Sequence, residues 1–142
     1  MAKQISIFLE NKAGRLSHVT RTLGEANINI RALSIADTSD FGILRIIVND
    51  PDKAYRILKE AGFTVSETEV IAVQVADTPG SLANVLEQMS EENLNIEYMY
   101  AFLGTAADDA LVIFKVEDIS RVQEAFKRKG IKFLEENQLY KL

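Results

Sequence analysis

The chain has 142 residues, 47% hydrophobic and 26% charged, with a formal net charge of −5. That length buries a real core in one average domain or two small ones. The absence of cysteine excludes disulfides, thiolate metal sites and cysteine nucleophiles. No run approaches the roughly 18 apolar residues of a membrane span, and the opening Met1-Ala2-Lys3-Gln4-Ile5 has no apolar leader, so a cytoplasmic protein without a membrane partner is expected. Lys and Arg are scattered; the longest cluster, Lys127-Arg128-Lys129, falls where a helix ends and suits its dipole, so no nucleic-acid partner is expected.

In chain order, Gln4 to Glu10 alternates with Ile5, Ile7 and Leu9 on one face, a strand period. Leu16, Val19, Leu23 and Ala26 follow at helical spacing, stopped by a left-handed Asn27. Ile28 to Ala36 and Ile43 to Val48 read as a hairpin around the turn Asp37-Thr38-Ser39-Asp40. Asp50-Pro51 starts a helix with an acidic cap and a proline at its first position; Ala54, Ile57, Leu58 and Ala61 form its buried stripe and Gly62 ends it. Phe63 to Glu67 is a last strand. The order then repeats: strands at Glu69 to Ala76, Leu94 to Leu103, Ala110 to Val116 and Ile131 to Glu135, and helices from about Pro79 to Glu92 and Asp118 to Lys129, with a short tail.

The second half is a copy of the first. A shift of 66 places Ile5 on Ile71, Gly14 on Gly80, Leu16 on Leu82, Val19 on Val85, Asn27 on Asn93 and Asn29 on Asn95. After a two-residue insertion the shift is 68, and Val48 meets Val116, Asp50 meets Asp118 and Gly62 meets Gly130. Each copy reads β-α-β-β-α-β, the split βαβ of ferredoxin-like folds. The fold class is therefore α+β: two tandem ferredoxin-like domains, residues 1–68 and 69–142, each an antiparallel sheet with helices on one face. With no linker, the strands meeting near Thr68 are expected to hold the sheets side by side as one rigid unit.

Candidate binding residues lie between the first strand and first helix of each copy: Glu10-Asn11-Lys12-Ala13-Gly14-Arg15-Leu16 and Ala76-Asp77-Thr78-Pro79-Gly80-Ser81-Leu82. A glycine there lets a ligand approach the backbone, and the unpaired N–H groups of a helix start attract a carboxylate. Asn11 and Asp77 add oxygens that accept from an ammonium group. Asn or Asp ahead of a helix is also an ordinary cap, and Thr78-Pro79 is a good helix start by itself; both readings stand. Asn29 and Asn95 sit among apolar residues where strands disfavour asparagine, with local turn bonding as the structural alternative.

The pattern strand, Asn-x-x-Gly-x-Leu, apolar helix, Ile-Asn-Ile, hairpin, helix, strand resembles the ACT domain family, over residues 4–76 and 69 to about 137. The resemblance implies a free amino acid as allosteric effector, no catalysis and no cofactor. In side-by-side pairs of such domains the ligand lies at the domain interface. That implies one composite site from Asn11, Ala13, Gly14, Arg15 and Leu16 with Asn95, and another from Asp77, Pro79, Gly80, Ser81 and Leu82 with Asn29. Ala13 stands where the family usually has the proline of Pro-Gly, and Asp77 where it commonly has asparagine. The Asn11 site is expected to bind better, because a neutral amide does not repel the ligand carboxylate.

His18, the lone histidine, is expected at the surface. Tyr98, Tyr100 and Phe102 alternate on one strand face, as packing against helices or a sheet or as a pocket wall. Ile43 to Val48 is apolar on both faces, which calls for a cover on the far side, most simply a second copy in a homodimer. The favoured function is an amino-acid sensor acting on a separate enzyme, in one version a regulatory subunit resembling that of acetolactate synthase. The competitors are a dimerisation module without ligand and an acylphosphatase-like enzyme, for which Arg15 beside Gly14 is the one near match.

Overall fold

A computed structural model describes residues 2–37, 40–103 and 109–141. The chain divides into two compact units, Lys3–Thr68 and Glu69–Leu142, the latter grouped with Ala2. The first unit comprises β1 (Ala2–Glu10), α1 (Arg15–Glu25), β2 (Ile30–Asp37), β3 (Phe41–Val48), α2 (Pro51–Glu60) and the start of β4 (Thr64–Ala76). Its strand order is β2-β3-β1-β4. The second contains the rest of β4, α3 (Ser81–Glu91), β5 (Ile96–Ala101), β6 (Asp109–Val116), α4 (Ile119–Lys129), β7 (Phe133–Leu134) and α5 (Glu136–Tyr140), in the order β5-β6-β4-β7. Both are the expected ferredoxin-like unit.

Alternation builds each core. Ile5 and Ile7 of β1 face Ile46 and Leu44 of β3, and Val19, Leu23, Ala54 and Leu58 from the two helices close over them. In the second unit Ile71 and Val73 pair with Phe114 and Val112, beneath Val85, Met89, Val122 and Phe126. Helix ends follow their residues. Asp50 and Asp118 each accept from the third helical N–H, Lys53 and Arg121, both at 3.2 Å. Asn27 and Asn93 adopt φ of 60° and 57°. The next N–H of each, Ile28 and Leu94, returns to Leu23 O and Met89 O at 3.0 and 2.9 Å, a Schellman-type stop.

Several expectations need correction. No break falls near Thr68: β4 is one unbroken strand of 13 residues. Its β-branched run, with no glycine or proline, gives the ladder nothing to interrupt it. The last strand shrinks to Phe133–Leu134 because Glu135 starts a helix, exchanging capping-box bonds with Gln138. On the faces of the sheets away from the helices, the cross-strand pair Ala32 and Ile47 is buried, as are Ala72 and Ile113. Tyr100 is buried opposite Ile113 on that same face, so it does not pack against the helices. The turn residues Thr38 and Ser39 lie outside the described residues.

Candidate functional site

Each strand–helix loop is built by its backbone. Lys12 N–H returns to Glu10 O at 2.9 Å and Arg15 N–H to Lys12 O at 3.4 Å; Thr78 to Ala76 and Ser81 to Thr78 repeat this at 2.9 and 3.2 Å. Gly14 and Gly80 then enter the helix with φ of 88° in both copies. That left-handed conformation strains any residue with a Cβ, which is what the motif needs glycine for. His18 and Asn84 N–H groups close the first turns on Gly14 O and Gly80 O at 2.9 and 3.0 Å.

Neither helix receives a side-chain cap. With Gly14 and Gly80 as the N-cap residues, Asn11 and Asp77 stand three positions ahead of the cap position that the capping reading would give them. Pro79 likewise precedes α3, which starts at Ser81, so it stiffens the turn and is not the first helical residue. Near the loop tip, Thr78 and Ser81 hydroxyls bond each other at 2.5 Å.

In the first unit Asn11, Lys12, Arg15 and Leu16 line a recess of about 150 Å³, completed by Glu10 and by Ile35, Gly42 and Leu44 of the hairpin. Asn11 N–H donates to Asp40 O at 2.9 Å, which ties the loop to that hairpin. Lys12, by hydrogen bond and by charge, and then Arg15 hold the Glu10 carboxyl below its ordinary value. The hairpin residues of the recess were not singled out in the sequence. The signal was present in the strand register, which sets Leu9 opposite Gly42 and Ile35 beside Leu44.

Asn29 and Asn95 lie just ahead of β2 and β5, not within them, and both are exposed. Each sits at the far end of its own domain's helix, 11 residues or about 16 Å from the loop. Within a domain, therefore, the loop and the asparagine are not brought together. Asn29 N–H donates to Asn49 Oδ1 at 3.0 Å while its carbonyl accepts from Asn49 N–H at 3.3 Å, which ties the backbone before β2 to the residue that follows β3. Asn95 lines an open depression of about 380 Å³ with Leu86, Met89, Ser90 and Asn93. His18 is exposed and packs against Phe63, ring centroids 5.0 Å apart.

A second pair of hollows lies between the end of the first strand and the turn after the second helix. In the first unit it is about 200 Å³, lined by Phe8, Leu9, Glu10, Arg15, Phe41, Gly62, Phe63 and Thr64. In the second it is about 360 Å³ and includes Gln74, Val75, Ala76, Ser81, Asp109, Gly130, Ile131 and Lys132. These are the same positions in the repeat. Among the described residues, no group of three or more histidine, aspartate and glutamate side chains is placed to hold a metal ion, and no helix is long and apolar enough to cross a membrane.

A family profile described as ACT domain pair matches residues 1–142. The solved structure of protein BT0572 from Bacteroides thetaiotaomicron is 47% identical, with a TM-score of 0.93 over 99% of this chain and 96% of that one. The ligand-free regulatory subunit of aspartate kinase from Thermus thermophilus shares the fold at 17% identity, with a TM-score of 0.63 over 89% and 90% of the two chains. The corresponding subunit from Thermus flavus does so at 14% and 0.61 over 88% of each. No curated protein matches the sequence.

Proposed function

The chain belongs to the family of ACT domain pairs, and from that premise we propose that it is a non-catalytic regulatory protein whose effector is a free amino acid. The observation that carries this is the twofold recurrence of an uncapped helix start behind a left-handed glycine, with Asn11 or Asp77 three residues ahead of it. The first-turn N–H groups that follow Arg15 and Ser81 suit a carboxylate, and the neighbouring side-chain oxygens suit an ammonium group. The binding residues proposed are Asn11, Ala13, Gly14, Arg15 and Leu16 in the first copy and Asp77, Pro79, Gly80, Ser81 and Leu82 in the second. Asn29 and Asn95 complete the set implied by the family, Asn29 with the weaker support because Asn49 engages its backbone. The recess of about 150 Å³ falls below the ~300–1,000 Å³ of drug-sized pockets, which fits a ligand of amino-acid size.

The regulated partner is proposed to be a separate catalytic chain in the cytoplasm, by likeness of fold to the aspartate kinase regulatory subunits. Co-purification of an enzyme with the tagged chain tests it. The effector is tested by a thermal-shift screen against the twenty free amino acids at millimolar concentration. A ligand at about a hundred times its Kd adds roughly 2.7 kcal/mol, which raises the melting temperature of a chain this size by about 5–11 °C. One or a few positive amino acids are expected. A flat response to all twenty overturns the reading in favour of a module that binds no ligand.

A further inference from the structure

The paired hollows at the strand ends share a backbone and differ in chemistry. Phe8 stands where the second copy has Gln74, and Phe41 where it has Asp109. In the second unit Gln74 Nε2 donates to Asp109 Oδ2, a polar wall whose members satisfy each other. In the first, the rings of Phe8 and Phe41 stack with centroids 5.0 Å apart, while 49% and 44% of their surface stays in water. Phe63 lines the same cleft. Two half-exposed phenylalanines side by side are apolar area that an apolar occupant would withdraw from solvent.

The polar wall of the first cleft is equally specific. Arg15 Nη2 makes a long bond of 3.4 Å to Glu10 Oε1, and its buried Nε has no hydrogen-bond partner among the described residues. Arg15 is loosely held beside an aromatic wall, and the other oxygen of Glu10 is paired with Lys12 Nζ at 3.2 Å. A zwitterion matches this pair: its carboxylate takes the guanidinium, which offers two parallel donors, and its ammonium joins Lys12 on the Glu10 carboxylate. The second copy has Ser81 and Ala76 at these positions, and the charges of its cleft stand elsewhere, on Asp109, which Gln74 engages, and on Lys132.

We propose that the cleft of Phe8, Phe41, Phe63, Glu10 and Arg15 selects an amino acid with an apolar side chain, aromatic or branched aliphatic, and that the second domain's cleft does not share this preference. The inference rests on the amino-acid reading above and adds the class of ligand. The cleft's cavity is about 200 Å³.

The test is isothermal titration of the full chain with phenylalanine, leucine and isoleucine against serine, aspartate and lysine. It compares wild type, Arg15→Gln and the double variant Phe8→Gln/Phe41→Asp, which installs the second domain's side chains at two half-exposed positions. Apolar amino acids are expected to bind wild type at least tenfold more tightly than polar ones. The double variant loses that preference at least tenfold, and Arg15→Gln weakens the apolar ligands together. Ring-proton NMR shifts of Phe8, Phe41 and Phe63 on titration place the ligand in the cleft. A preference for polar ligands, or apolar binding within twofold of wild type in the double variant, overturns the cleft proposal and leaves the amino-acid reading standing. No binding by any of the twenty amino acids removes the underlying reading itself.

Discussion

Gly14 and Gly80 hold the same φ of 88°, and the hydrogen bonds on either side of them agree within a few tenths of an ångström. Around these matched backbones the side chains part company. Asn11 faces Asp77 across the repeat, Arg15 faces Ser81, and the stacked Phe8–Phe41 pair faces the bonded Gln74–Asp109 pair. The two halves thus separate what the loop needs in order to exist from what it needs in order to choose a ligand. Shape resides in the glycines and the turn bonds, which recur. Selection resides in the side chains, which do not.

The largest effect expected from breaking this contrast is on affinity. Asn11→Ala is expected to remove a bond to a charged ligand group, about 1.5–3 kcal/mol or roughly a 10- to 150-fold loss. Asp77→Ala should cost less, because the carboxylate it deletes also repels the ligand's own. Calorimetry with the amino acid that raises the melting temperature decides between them, and a greater loss from Asp77→Ala reverses the ranking.

Next in size is the backbone itself. A Cβ added at Gly14 or Gly80 meets nothing within 4 Å, so Gly14→Ala and Gly80→Ala carry strain alone, about 1–2 kcal/mol each. Urea denaturation of the two variants should give equal losses; a clear inequality would show that the loops are not equivalent in shape.

The smallest effect separates the halves by pH. Arg128 forms two bonds of 2.7 Å to the Glu92 carboxylate, whereas the first copy has Glu60 and Ala26 in those places. The Arg128 hydrogen bonds, against some opposing desolvation, hold the Glu92 carboxyl below its ordinary value of 4.5. A carboxyl depressed in the folded state stabilises above its unfolded value and loses that contribution as the pH falls through the folded one. Below pH 4.5 the wild type should lose stability slightly faster than Glu92→Gln, in an acid titration followed by circular dichroism. Parallel curves would assign the pair no role in stability, the common outcome for exposed ion pairs.

The repeat made most of the fold readable in advance, since each element was seen twice and its stops carry residue-specific physics. Asn27, Asn93, Asp50 and Asp118 do what their chemistry requires, because a left-handed stop and a side-chain cap depend on neighbours within a few residues. Two features of the fold escaped. The unbroken β4 depends on pairing along its length, and the short β7 on the capping box that starts a helix at Glu135. At the site, the loop residues stood out because glycine before a helix is a local signal. The aromatic cleft did not, because Phe8, Phe41 and Phe63 come from three separate segments that only the folded sheet brings to one hollow.

His18 lies against Phe63 at the edge of that hollow, and it is the sole imidazole in the sequence. Its ring protons therefore give one pair of resonances, free of overlap from any sibling, inside the ring current of an aromatic wall residue. Titrating an amino acid into unlabelled protein and following that single pair in a proton spectrum would report whether the wall moves, with no isotope, tag or substitution introduced.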